Sequence, residues 1–198
     1  MTTDPTTGPT TPDDAPTPAP PSARQLALTG AVLDIERHAS ALGWDSPVLV
    51  FALVRTASAL ATEPRLASEL PDGAVAAAQE DPEHLTSVEQ EGLPEASSLE
   101  ELLAQLGWPE SVDGAAVVVE RVVVPPEVEA GMPEDPDEAI AYLGAHPARQ
   151  DVRITAGVLR TGESWCALRS RGNDSDDAVG GSADAVPGLV EALRATFA

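Results

Sequence analysis

The sequence predicts an α+β protein, with helices packed around a mostly antiparallel sheet. Three observations predict it. The stretch "DVRITAGVLRTGESWCALRSR", residues 151–171, is two apolar-alternating runs joined at Thr161–Gly162, so a C-terminal hairpin is required. The stretch "AVVVERVVVPP", residues 116–126, is a β-branched run stopped by two prolines. Helical stripes flank these strands without the regular strand–helix alternation that a doubly wound sheet needs.

The elements follow in order. Residues 1–22 hold seven Pro, seven Thr and three Asp and, beyond Met1, no large apolar side chain. Such a segment cannot offset the entropy of ordering, so it reads as a disordered tail ahead of a single α+β domain over 23–198. Leu28, Ala31, Ile35, Ala39 and Leu42 recur at spacings of three and four, which predicts a helix over about 24–42 that Gly43 ends, with Trp44 folded back on its last turn. "SPVLVFALVRT" follows as a strand buried on both faces. Residues 56–70 read as short helical turns interrupted at Pro64, and the acidic stretch 71–96 shows only one extended piece, Leu85 to Gln90. Ser97 or Ser98 with Glu100 or Glu101 forms a capping box for a helix through Leu99, Leu102, Leu103 and Leu106. After the valine strand, Asp135 caps a helix with Pro136 at its first position. Val186, Leu189, Val190, Leu193 and Phe197 stripe a last helix.

The hairpin register carries a further expectation. A three-residue loop, Arg160 to Gly162, puts Val152, Ile154, Ala156, Val158, Cys166 and Leu168 on one face. Arg153, Thr155, Leu159, Trp165, Arg169 and Arg171 then share the other. Within the valine strand, Glu120 and Arg121 pose a problem, because neighbouring strand residues point to opposite faces and a lone buried ion costs several kcal/mol. A bulge, an edge position or a functional buried pair would each resolve it.

Composition excludes several function classes. The chain of 198 residues has a net charge of −22, and all eleven basic residues are arginine. Without lysine there is no Schiff-base chemistry, Walker-type phosphate loop or kinase-type lysine. An acidic surface repels nucleic acid and anionic membranes, and no apolar run approaches the ~20 residues of a membrane-spanning helix. The protein is expected to be cytoplasmic. One cysteine, Cys166, admits no intrachain disulfide and reads as a small buried hydrophobe. No metal site or cofactor is expected: the acidic loop 171–181 fails the calcium-loop pattern at Ala178 and Val179. The three histidines, His38, His84 and His146, lie on separate elements.

Residues 149–171 carry five arginines against two acids, a local net of +3 on a chain otherwise at −25. An exposed face bearing Arg121, Arg153, Trp165, Arg169 and Arg171 is therefore the candidate partner-binding surface, suited to an acidic protein or peptide through forked hydrogen bonds and stacking. Internal pairing with the chain's own carboxylates is the competing reading.

The stretches "GWDSPVLVFALVRTA", "LTSVEQEGLP", "VVVERVVVPPE", "HPARQDVRITAGVLR" and "VPGLVEALRATF" together resemble an uncharacterised actinobacterial family of about this length with a locus-derived name. That resemblance covers most of 24–197 and implies no activity, cofactor or site residue. The order of elements also resembles, at fold level alone, the small secretion chaperones, except between the first strand and the valine strand. The expected function is a non-enzymatic macromolecule-binding module. Two alternatives stand beside it: a small enzyme using His146 or Cys166, and a phosphate-ligand sensor using the same arginines.

Overall fold

The computed structural model describes residues 20–198, so the tail expected over 1–22 lies almost wholly outside the described residues. Helix α1 spans Ala23–Leu42, with the Ser22 hydroxyl accepting from the Gln25 amide at its start and Gly43, at φ 89°, ending it. Its buried side is Leu28, Ala31, Val32, Ile35, Glu36 and Ala39; Leu42 is exposed, so the apolar stripe stops one turn short of the helix end.

Six strands form one sheet: β1 (Leu49–Arg55), β2 (Leu85–Glu89), β3 (Gly114–Val123), β4 (Gln150–Leu159), β5 (Ser164–Ser170) and β6 (Gly180–Ser182). Their order is β2-β1-β3-β4-β5-β6, and every neighbouring pair is antiparallel. Helix α1 covers one face, where Leu28, Val32 and Ile35 meet Phe51, Leu53, Ala116 and Val118. The other face carries α4 (Leu99–Ala104) and α7 (Pro187–Ala195), whose Leu102, Leu103, Val190 and Leu193 meet Val50, Val117, Ala156, Val158 and Cys166. Two covered faces explain why β1 and β3 read as continuous apolar runs rather than alternating ones. Each large side chain so enclosed contributes about 1.5–3 kcal/mol.

Between β1 and β2 lie α2 (Thr56–Thr62), a 3₁₀ turn at Pro64–Ser68 and α3 (Ala74–Glu80). Helix α3 had no counterpart in the sequence reading, because only Ala74 and Ala78 of it are buried and alanine leaves a faint stripe. The Ser98 cap holds as expected: its hydroxyl accepts from the Glu101 amide, while the Glu101 carboxylate accepts from the Ser97 amide and hydroxyl.

The hairpin turns through Arg160–Gly162, with Leu159 donating to the Glu163 carbonyl and Gly162, at φ 109°, donating to that of Leu159. Direct pairs Ile154 with Leu168, Ala156 with Cys166 and Arg153 with Arg169 separate the two faces in the expected way.

Strand β3 pairs with β4 along its whole length, from Gly114 with Leu159 to Val123 with Gln150, in unbroken register. A bulge at Glu120–Arg121 is thereby excluded. Strand β1 reaches only from Gly114 to Val118, so the second half of β3 has an open edge. Beyond it, α5 (Pro126–Glu129) and α6 (Pro136–Ala145) form an arm in which neither helix has a buried residue. Asp135 caps α6, accepting from the Asp137 and Glu138 amides.

Candidate functional site

Alternation settles where the charges in β3 go. Glu120 projects to the α1 face, directly opposite Arg153 on β4, and the two form an ion pair at 3.0 Å. Arg121 projects to the other face and is exposed.

The expected water-facing arginine surface does not exist. Arg153 and Arg169 do share a face, but α1 lies across it and leaves them 1% and 2% exposed. Arg169 grips Glu36 of α1 with two bonds, Nε to Oε1 at 2.6 Å and Nη2 to Oε2 at 2.8 Å. It also meets Asp174 at 3.1 Å and Asp176 at 2.6 Å. The Glu36 bonds chiefly hold its guanidinium protonated, against the opposing cost of burial. Arg153, besides Glu120, donates to the Gly43 carbonyl, and its guanidinium sits 4.4 Å from the centre of the Trp44 ring. Trp44 therefore stacks over Arg153 and over Arg171, 4.9 Å away, instead of folding back on α1. Its indole N–H donates to Asp174 at 2.8 Å, a bond that, with Arg169 behind it, holds that carboxyl below the usual range. Arg171 pairs with Asp45 at 2.7 Å. Trp165 is half-buried against the α1 layer, with its Nε1 enclosed and without a hydrogen-bond partner among the described residues. Asp174 and Asp176 in the acidic loop 171–181 thus serve as counter-ions to Arg169, and no cluster of three or more His, Cys, Asp or Glu side chains among the described residues could hold a metal ion.

The residues of the enzymatic alternative are occupied structurally. Cys166 is fully buried, and burial pushes its thiol up, away from the thiolate a nucleophile needs. His146 caps α6, with Nδ1 accepting from the Ala148 amide and its ring against Tyr142. His38 lies 3.3 Å from Glu89 and edge-on to Phe51, while His84 bonds the Thr56 hydroxyl at 2.8 Å.

The face that carries α4 and α7 holds what the sequence reading missed. An open cavity of about 360 Å³ is lined by Val119 and Ile154 from the sheet, by Leu99 and Leu103 from α4 and by Leu189 and Ala192 from α7. Glu100, Arg121, Val186 and Gly188 complete its lining. A second cavity of about 470 Å³ continues past Leu99 toward Val48, Leu93 and Leu102, again lined by Glu100 and Arg121. A third, of about 190 Å³, is lined by Asp45, Glu120, Arg121, Val122, Arg149, Asp151 and Arg171. Arg121 is common to all three, and it reaches back over the open edge of β3 to donate to the Glu120 carbonyl at 3.0 Å. Among the described residues it forms no ion pair. Four elements far apart in sequence build the groove, so no local pattern could announce it; only the leucines of the two helix stripes hinted at its walls.

No helix among the described residues is long and apolar enough to cross a membrane. No curated protein and no solved structure matches the chain, and the likeness to secretion chaperones has no support from that quarter. A family model described as "PPA1309-like protein" matches residues 28–198, nearly the whole of the described structure. The chain belongs to the PPA1309-like protein family.

Proposed function

We propose that this protein is a non-enzymatic, cytoplasmic interaction module that holds an extended segment of a partner protein in the groove between α4 and α7. The observation that carries this reading is Arg121, an arginine with no ion-pair partner among the described residues, standing where an apolar groove meets the open edge of β3. A partner segment fits this place if it offers an acidic side chain to Arg121 and apolar side chains to Val119, Ile154 and Leu189. Backbone pairing along an open strand edge is a recurrent way to hold such a segment. Val122 and Val123, 42% and 45% exposed, leave that edge apolar. The acidic remainder of the chain repels an acidic partner elsewhere, which makes Arg121 the point that sets register.

A displayed library of random peptides tests the reading. Recovered peptides should share an acidic residue next to apolar anchors. Binding should fall by about tenfold or more in Arg121→Glu, the worth of one charge-assisted hydrogen bond, and peptides with that acid changed to arginine should recover it. Leu189→Asp should abolish binding while Leu26→Asp, on an exposed part of α1, leaves it intact. Peptides indifferent to both Arg121 and Leu189 would remove the groove from consideration.

A further inference from the structure

The cavity beside the groove has a charge balance of its own. Three arginines, Arg121, Arg149 and Arg171, face three carboxylates, Asp45, Glu120 and Asp151. Their counter-ions are not equivalent. Glu120 is engaged from behind by Arg153 at 3.0 Å and by the Asp45 amide at 2.8 Å, and Asp151 is engaged by Arg149 at 2.5 Å. Arg171 is answered mainly by Asp45, at 2.7 Å, with Asp151 further off at 3.8 Å. Asp45 is the carboxylate free to leave, because its side chain is 81% exposed and a change of rotamer carries it into water. Once it has left, the three arginines that line the cavity face two carboxylates, and a net positive charge remains to be met.

From this balance we infer that the cavity is a phosphate subsite for a phosphorylated serine or threonine of the segment that the groove holds, a proposal that rests on the groove reading. A phosphomonoester carries about −1.5 to −2 charges at neutral pH and three acceptor oxygens, which match two forked guanidinium donors. The donors are already positioned. Arg171 lies against the Trp44 ring, and Arg149 is tied to the Gly144 carbonyl at 2.9 Å as well as to Asp151. The Nε of Arg171 is enclosed without a hydrogen-bond partner among the described residues, so its remaining donors are the ones turned to a ligand or to Asp45. Asp45 then acts as a resident stand-in for the phosphate, holding Arg171 until the ligand takes its place. Because Arg121 borders both cavities, the phosphate and the apolar anchors belong to one segment.

The test uses the whole chain and three probes: N-acetyl-phosphoserine amide, N-acetyl-serine amide and inorganic phosphate, titrated while the Nε–H signals of the arginines are followed by NMR. The phosphoserine amide should shift Arg149 and Arg171 saturably, and the serine amide should not. Asp45→Asn removes the stand-in and should tighten the phosphoserine amide by about tenfold, whereas a merely structural Asp45 would weaken or ignore it. A groove peptide synthesised with phosphoserine should in turn bind about tenfold tighter than its unmodified form. The proposal is overturned by unsaturable shifts, by an Asp45→Asn variant no tighter than wild type, or by inorganic phosphate binding as tightly as the phosphopeptide, which would mark a free-anion site. Unmodified peptides that bind the groove with no gain from phosphate would end the subsite and leave the groove standing. Phosphoserine amide binding without any groove peptide would end the reading in the other order.

Discussion

Glu36 is the residue on which the α1 face turns. It stands one position after Ile35 on the buried side of α1, and both it and Arg169 are 2% exposed. Two ions taken from water gain little over a well-packed apolar pair, but one left alone is costly. Glu36→Leu is therefore expected to lower stability by about 1.5–3 kcal/mol in urea unfolding, because it removes the forked bonds to Arg169 and leaves that buried guanidinium only Asp174 and Asp176. The double variant Glu36→Leu with Arg169→Met should recover most of that loss, since Asp174 and Asp176, at 41% and 71% exposed, return to water on their own. Equal midpoints for wild type and the single variant would show that the pair does not hold α1. Period-two alternation was enough to place Arg153 and Arg169 on one side of the hairpin. Which side meets water was not legible there, because the helix that covers it is more than a hundred residues earlier in the chain. For Glu120 and Arg121 the alternation was again the answer, once each had a separate face to occupy.

At the scale of elements, α1 packs directly over Gly157 on β4. A Cβ there would stand 2.5 Å from Val32 Cγ2 and 3.2 Å from Leu28 Cδ1, both in the packed interior. Gly157→Ala should cost about 1–3 kcal/mol by prising α1 from β4, and adding Val32→Ala should return part of it by removing the Cγ2 methyl that the new Cβ meets, along with Cγ1. Thermal unfolding of the two variants checks this; a Gly157→Ala protein as stable as wild type would mean that α1 can shift without loss. Elements whose signals are local were legible: the three-residue turn Arg160–Gly162, the Ser98 and Asp135 caps, and the stripe of Val190 and Leu193 on α7. Helix α3 was not, since two alanines give no large apolar period to read. The groove between α4 and α7 was not either, because its lining joins Leu99 to Leu189 only through the tertiary fold.

Taken whole, the molecule divides into a sheet covered on both faces and an arm that adds nothing to either core. The ladder between β3 and β4 already brings Val123 opposite Gln150, and everything from Pro125 to Ala148 is an excursion from that point. In α5 and α6 no residue is buried, and Ile140 is 70% exposed. A short turn of the Asn-Gly type between two paired strand ends is sterically ready to replace such an excursion. Excising residues 125–148 in favour of that turn should leave Tm within about 2–4 °C of wild type, the shift that ~1 kcal/mol produces in a chain of this size. Arg121 and the groove between α4 and α7 survive the excision, whereas Arg149 loses its bond to the Gly144 carbonyl, so the binding of unmodified groove peptides should survive. A fall of Tm well beyond that range would show that the arm braces the long ends of β3 and β4. A normal Tm with lost peptide binding would instead assign the arm, with its exposed Ile140 and six acidic side chains between Glu127 and Glu138, to the partner-holding surface.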